Sequence, residues 1–153
     1  MTDRDPVTPG QLDSTQRAAI EKAVKQAAWE HLTAENAATA LSHYESDAVV
    51  ASDGRLYPSF ELFARDARDF YDTLQQVELA VWDEIHVQVL SRDIAVLTSK
   101  VRWSSTDTEG VRLDLTGIWT AVYVEHDGRW LIRTRHESFE HAADRSRDAV
   151  GES

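Results

Sequence analysis

The sequence of 153 residues contains no cysteine. It therefore forms no disulfide, holds no metal through a thiolate and has no cysteine nucleophile. It also lacks any apolar run close to the roughly 20 residues that span a bilayer, and no apolar segment follows the polar start Met1–Pro6 as it would in a signal peptide. From these absences we expect a cytoplasmic protein without a membrane segment, and the length suits a single domain.

Positive charge is scarce as well. The chain has 16 lysines and arginines against 27 aspartates and glutamates, which gives a formal net charge of -11. Nucleic-acid affinity comes largely from basic residues that displace counterions from phosphates, so we expect no nucleic-acid partner. The one basic cluster, from Arg129 to Arg135, is interleaved with acidic residues and is typical of a solvated or interface surface.

Several motifs that carry chemistry are also absent. The sequence has no G-x-G-x-x-G, no G-x-x-x-x-G-K-[ST] and no G-x-S-x-G. No two of its six histidines have the spacing of a zinc motif such as H-E-x-x-H. We therefore expect no nucleotide site, no elbow serine, no metal and no cofactor.

Hydrophobic periodicity predicts three helices in the first half of the chain. Asp13 or Ser14 caps the first of them. Its stripe residues recur three and four positions apart: Ile20, Val24, Ala27 and His31. A short second helix is predicted from about residue 33 to 44, and a third begins after the cap Ser59. Between the second and third, residues 47–57 predict a short hairpin.

A change of period to two predicts strands in the second half. Four runs alternate in this way, at about 77–90, 94–105, 111–125 and 129–139. Helices followed by a meander predict an α+β fold, with helices covering one face of a curved, mainly antiparallel sheet. We expect one domain over residues 13–139 and loosely held tails at 1–12 and 140–153.

The last hairpin can pair in two registers, and the choice decides which side chains share a face. A two-residue Asp127-Gly128 loop mixes apolar and charged groups on both faces. A three-residue loop with Gly128 in the left-handed region separates them, so we prefer it. In that register one face runs from apolar to polar. It carries Trp130, Ile132, Thr134, His136 and Ser138 opposite Val124, Val122, Thr120, Ile118 and Thr116.

This register predicts a cavity with His136 and Asp114 as an acid/base pair, because a carboxylate can orient an imidazole that exchanges protons near neutral pH. Hydroxyls that would hold a substrate oxygen are those of Thr116, Thr120 and Ser138. Walls for a small apolar or amphipathic molecule are supplied by Trp29, Tyr44, Phe63 and Trp103. The alternative is that these polar groups only satisfy one another's hydrogen bonds in a small cavity, without turnover.

The opposite face would carry aromatic and charged side chains on the outside of the sheet. They are Trp119, Tyr123, Arg133 and Arg135. Uncovered aromatic residues of this size on a broad sheet favour an interface, so we predict a homodimer through this face.

Several segments resemble the nuclear transport factor 2-like superfamily, in particular its SnoaL-like and ketosteroid-isomerase-like branches. They are Ala19-Ile20 to Trp29, Asn36 to Tyr44, Asp47 to Val50, Trp119 to Val124, Asp127 to Ile132, and His136-x-Ser138. The resemblance covers about residues 14–139. It implies a cone of helices and bent sheet around a pocket, in a homodimer.

Members of that superfamily include isomerases, cyclases, dehydratases, binding proteins and association modules. The resemblance therefore implies a small-molecule binding protein that is either a cofactor-independent isomerase, cyclase or lyase, or a non-catalytic association or carrier module. Steroid isomerisation is not expected, since its aspartate base, tyrosine and protonated aspartic acid have no match. The corresponding segments read Ala51-Ser52-Asp53-Gly54, Ala28-Trp29 and Gly117-Ile118-Trp119.

Overall fold

A computed structural model describes residues 12–141, and the predictions for the two tails fall almost entirely outside this range. Within it the chain forms three helices and six strands. They are α1 Ser14–Leu32, α2 Ala37–Leu41, β1 Tyr44–Ser52, β2 Arg55–Leu56, α3 Phe60–Thr73, β3 Leu74–Val89, β4 Ile94–Asp107, β5 Arg112–His126 and β6 Arg129–Phe139. None of the helices described is both long and apolar enough to cross a bilayer.

Capping side chains set where the helices begin. Asp13 accepts from the Gln16 amide while the Gln16 side chain accepts from the Asp13 amide, which completes a capping box at α1. Ser59 accepts from the Leu62 amide at the start of α3, as predicted. The second helix is shorter than predicted, because α2 ends at Leu41 and Tyr44 already belongs to β1.

The six strands form one sheet in the order β2-β1-β6-β5-β4-β3. Neighbours are antiparallel except β1 and β6, which run parallel. The predicted α+β architecture is confirmed, with helices packed on one face of a curved and mostly antiparallel sheet. We call the helix-covered side the inner face and the opposite side the outer face.

The turn before β6 is tighter than predicted. Asp127 has φ 49 and Gly128 has φ 84, and Glu125 pairs with Trp130, so the loop has two residues rather than three. Two consecutive positive φ angles are characteristic of the tight hairpin turn that Asp-Gly favours. Asp53-Gly54 makes the same kind of turn between β1 and β2, with φ 51 and 86.

A β-bulge in β6 then reverses which residues face the helices. Tyr123 pairs with Ile132 and Val122 with Thr134, which leaves Arg133 as an extra residue. Before the bulge Ile132 faces inward, and after it Arg135 does, with 0% and 9% of their surface exposed. The sequence-based register fails here, since it kept a single alternation along all of β6.

The inner face and the helices enclose a core at one end of the sheet. Fully buried residues there include Val24 and Ala28 of α1, Leu97 of β4, Tyr123 of β5 and Ile132 of β6. The two preceding strands also contribute to the inner face, with Ala95, Leu97, Ser99, Val101 and Trp103 of β4 and with Ile85, Val87 and Val89 of β3. A cavity remains between the helices and the inner face.

Candidate functional site

The cavity has a volume of about 350 Å³, which lies in the range of small-molecule sites. Apolar and aromatic side chains from α1, α3 and the inner face form most of its wall. They include Leu32, Leu41, Tyr57, Phe63, Phe70, Tyr71, Trp82, Val101, Trp103, Leu115, Trp119 and Phe139. Such a wall favours a largely hydrophobic ligand.

A histidine and a tyrosine form the first polar group in this wall. His31 lies in the last turn of α1 and Tyr44 begins β1, and His31 Nε2 is 3.0 Å from the Tyr44 hydroxyl. Trp119 stacks on the imidazole at 5.7 Å between ring centroids, while Tyr44 and His43 contact its edge at 5.3 and 5.9 Å. These contacts fix the orientation of the imidazole.

Burial keeps both groups of this pair uncharged. It lowers the pKa of His31 well below 6.5, with further lowering by the Arg135 cation and His43. Burial also raises the pKa of Tyr44 to about 12, against the opposing effect of Arg135. At neutral pH the imidazole is therefore uncharged, and its Nδ1 is buried with no partner in the protein.

An arginine and a glutamate from β6 form the second polar group. Arg135 Nη2 donates to Glu137 Oε1 at 2.6 Å, and Ser52 Oγ donates to the same oxygen at 2.9 Å. The parallel pairing of β1 with β6 places Ser52 beside Glu137. The Arg135 guanidinium also lies 4.9 Å from the centroid of Phe63, a cation–π contact in a dry setting.

Several buried polar atoms in the cavity wall have no hydrogen-bond partner in the protein. His31 Nδ1 has no hydrogen-bond partner, the buried donors Nε of Arg135 and Nε1 of Trp103 have no acceptor in the protein, and all three residues line the cavity. Buried donors are nearly always paired in native structures. A ligand with acceptor atoms would satisfy them.

The cavity opens toward a rim that mixes apolar and acidic groups. Phe70 and Leu113 line the cavity and are 37% and 38% exposed. Asp66 of α3 accepts from the Tyr57 hydroxyl at 2.9 Å and pairs with Arg55 at 3.4 Å. The rim gives an amphipathic ligand both apolar contact and a polar edge.

The predicted acid/base pair is not in the cavity. Asp114 lies on the outer face, where it accepts from Ser104 Oγ at 2.6 Å and pairs with Arg112 at 3.0 Å. His136 is exposed and lies opposite Thr120 in the ladder. The prediction that the two turn inward together is wrong. The tight turn places the odd-numbered residues of β5 on the inner face, and the bulge at Arg133 does the same for the part of β6 that follows it.

Four of the seven predicted ligand contacts also lie elsewhere. Thr116, Thr120 and Ser138 lie on the outer face for the same reason, with Thr120 bonded to Thr98 across the strands at 3.4 Å. Trp29 is 48% exposed on α1 and does not line the cavity. The remaining three, Tyr44, Phe63 and Trp103, do line it.

The residues predicted for a dimer interface are mostly inside the protein. Trp119, Tyr123 and Arg135 are 2%, 0% and 9% exposed and face the helices, and only Arg133 points outward. Arg133 pairs there with Glu45 at 3.0 Å. The predicted identity of the interface residues is therefore wrong.

Sequence reasoning missed His31, Arg135 and Glu137 as cavity residues. His31 was recognisable as a polar member of the apolar stripe of α1. Arg135 and Glu137 lie on the same face of the sheet as Trp119 and Tyr123. A prediction that those aromatic residues face inward would have placed both charged residues in the site. Over residues 12–141, no group of three or more histidine, aspartate and glutamate side chains has a metal-binding arrangement.

No protein-family model and no curated protein sequence matches the chain. Solved structures do match it. A scytalone dehydratase-like protein from Novosphingobium aromaticivorans superposes with a TM-score of 0.76 at 13% identity, covering 84% of this chain and 89% of that one. The hexachlorocyclohexane dehydrochlorinase LinA-type3 from Novosphingobium barchaimii gives 0.68 at 14% identity, covering 84% and 92%.

A third match is a protein from Xanthomonas campestris that resembles the association domain of calcium/calmodulin-dependent protein kinase II. Its TM-score is 0.63 at 23% identity, and it covers 92% of this chain and 96% of that one. Identities this low show a shared fold and leave activity open. The chain has the nuclear transport factor 2-like, SnoaL-like fold, as its sequence segments predicted.

Proposed function

We propose that this protein binds a small, mainly apolar molecule in the cavity and acts on it as a cofactor-independent lyase, isomerase or cyclase. The observation that carries the proposal is the His31–Tyr44 pair in the wall of an open apolar cavity, with His31 Nδ1 unpartnered. A filled interior would instead have favoured an association module without a ligand. The dehydratase-like and dehydrochlorinase structures lend support, since both names describe eliminations.

The chemistry assigned to the pair is proton transfer. When Nε2 carries the proton of the neutral imidazole, it donates to the Tyr44 oxygen, and Nδ1 keeps a lone pair that no protein group uses. His31 would then remove a proton from carbon, and the hydroxyl of Tyr44 would donate to an oxygen of the ligand. Proton removal leads to elimination where a leaving group is present and to a proton shift where it is not.

Native mass spectrometry of the purified protein tests the binding part of this proposal. We expect the wild type to retain a small molecule and His31→Gln to lose it, because the substitution alters the polar group of the cavity while keeping a similar volume. His136→Ala is the matched control, since this histidine lies on the outer face. A wild-type protein that carries no ligand and takes up no apolar compound would contradict the proposal.

We propose in addition that two copies associate through the outer face. Its exposed apolar residues include Ile118 at 43%, which lies between Lys100 and Ser138 on the neighbouring strands. The charges nearby pair within the chain, as Arg102 does with Asp83, so little unpaired charge opposes contact. Sedimentation velocity should show a dimer that Ile118→Glu converts to monomer, whereas Leu56→Glu on β2 leaves it intact. A monomeric wild type would refute this.

A further inference from the structure

The Arg135–Glu137 pair fixes the net charge of the cavity wall. The two side chains are 9% and 16% exposed, and a 2.6 Å hydrogen bond joins them. Burial opposes the arginine charge, but the neighbouring Tyr44 and Glu137 keep the pKa of Arg135 above its ordinary value. The cation is therefore present and is cancelled by a carboxylate in direct contact with it.

What the wall still offers a ligand is hydrogen-bond donation without net charge. Arg135 Nε and Trp103 Nε1 are buried donors that have no acceptor in the protein. Leaving such a donor unpaired is unfavourable, and an oxygen acceptor on the ligand would remove that penalty.

An anionic ligand would meet a different environment in the same place. It would lose its hydration on entry and then face a guanidinium that Glu137 already neutralises. At the rim Asp66 pairs with Arg55 in the same way, so the entrance also presents no unpaired positive charge to an anion. A carboxylate on the ligand is therefore disfavoured even though an arginine lines the cavity.

From this arrangement we infer that the site selects uncharged ligands with an oxygen acceptor on an apolar frame, and that Glu137 is the residue that excludes anions. The inference rests on the proposed function, since it concerns the ligand of the same cavity. It gives Glu137 a role in specificity rather than in proton transfer.

Three probes on one frame test the selection by isothermal titration calorimetry near pH 7. They are acetylnaphthalene, which carries a neutral carbonyl, naphthoate, which is ionised, and unsubstituted naphthalene. We expect acetylnaphthalene to bind the wild type at least about tenfold more tightly than naphthoate, and also more tightly than naphthalene, which cannot satisfy the donors. Naphthoate binding as tightly as acetylnaphthalene would overturn the inference.

Glu137→Gln tests the residue assigned to the selection. The glutamine oxygen can still accept from Arg135 and Ser52, but the arginine charge is no longer cancelled. Naphthoate affinity should rise about tenfold in this variant while acetylnaphthalene affinity changes little. Glu109→Gln makes the same change of net charge on an exposed turn outside the cavity and should alter neither affinity.

The outcomes separate the two proposals. An unchanged naphthoate affinity in folded Glu137→Gln removes Glu137 from its role as the anion filter. Should that variant not fold, the order of the three probes on the wild type still decides the ligand class. If none of the probes binds the wild type, the small-molecule proposal itself fails along with the inference.

Discussion

The inner and outer faces of this sheet are built from the same strands, yet they differ in almost every physical respect. The inner face buries Trp119, Tyr123 and Ile132 and leaves a cavity with partly unpaired donors. The outer face carries threonines, His136 and ion pairs such as Arg102 with Asp83 at the surface. The buried core and the cavity therefore both belong to the inner face, even though the outer face has the more familiar catalytic residue types.

This contrast shows how one extra residue can reassign a site. The bulge at Arg133 moves the inward alternation of β6 from even to odd residue numbers, which brings Arg135 and Glu137 inside and sends His136 and Ser138 outside. The two charged groups that this register brings into the cavity pair with each other there. The polar end of the cavity is thus a consequence of backbone register as much as of residue choice.

The largest expected difference between the faces is in stability. Ile132→Ala removes a fully buried side chain from the inner face and should lower the free energy of unfolding by about 2–5 kcal/mol. Thr120→Ala on the outer face should change it by less than about 0.5 kcal/mol, because its side chain packs against no core. Urea unfolding followed by tryptophan fluorescence measures both. Equal losses in the two variants would mean that the faces are assigned wrongly.

Much of the fold was predictable because it depends on local signals. The caps Asp13 and Ser59, the hairpin turn at Asp53-Gly54 and the apolar alternation of β3 and β4 each act over a few residues. The parallel contact of β1 with β6 was not predicted, since it joins segments about 85 residues apart and no local pattern encodes it.

The site was less predictable than the fold for a related physical reason. Tyr44, Phe63 and Trp103 were found because large apolar residues tend to line a cavity or a core in any register. Both alternations of β5 contain apolar residues, so the periodic pattern could not decide between them. The tight Asp127-Gly128 turn sets which residues of β5 face inward, and the bulge then reverses the alternation of β6. The only sign of the bulge in the sequence is that charged and apolar residues alternate poorly from Leu131 to Arg135.

The buried His31 on the inner side of the protein should make its stability depend on pH. Because the pKa of His31 is lowered in the folded protein, the unfolded chain binds more protons than the folded one below pH 6.5. Stability should therefore fall as the pH decreases from 6.5 toward the lower folded pKa, by at most about 1.4 kcal/mol per pH unit from this group. Urea unfolding of the wild type and His31→Gln at several pH values should show a weaker pH dependence in the variant. Parallel curves would show that His31 is not buried in its neutral form.

The smallest expected effect concerns the residue that the sequence made most prominent. His136→Ala should change the free energy of unfolding by less than about 0.5 kcal/mol, since the side chain is exposed on the outer face and surface substitutions of this kind are nearly neutral. The affinity of the His136→Ala variant for acetylnaphthalene should equal that of the wild type, because the cavity wall lies on the other side of the sheet. Calorimetry and urea unfolding measure the two quantities on the same preparation. A loss of ligand affinity without a loss of stability would show that His136 reaches the ligand. The assignment of the site to the inner face would then be wrong.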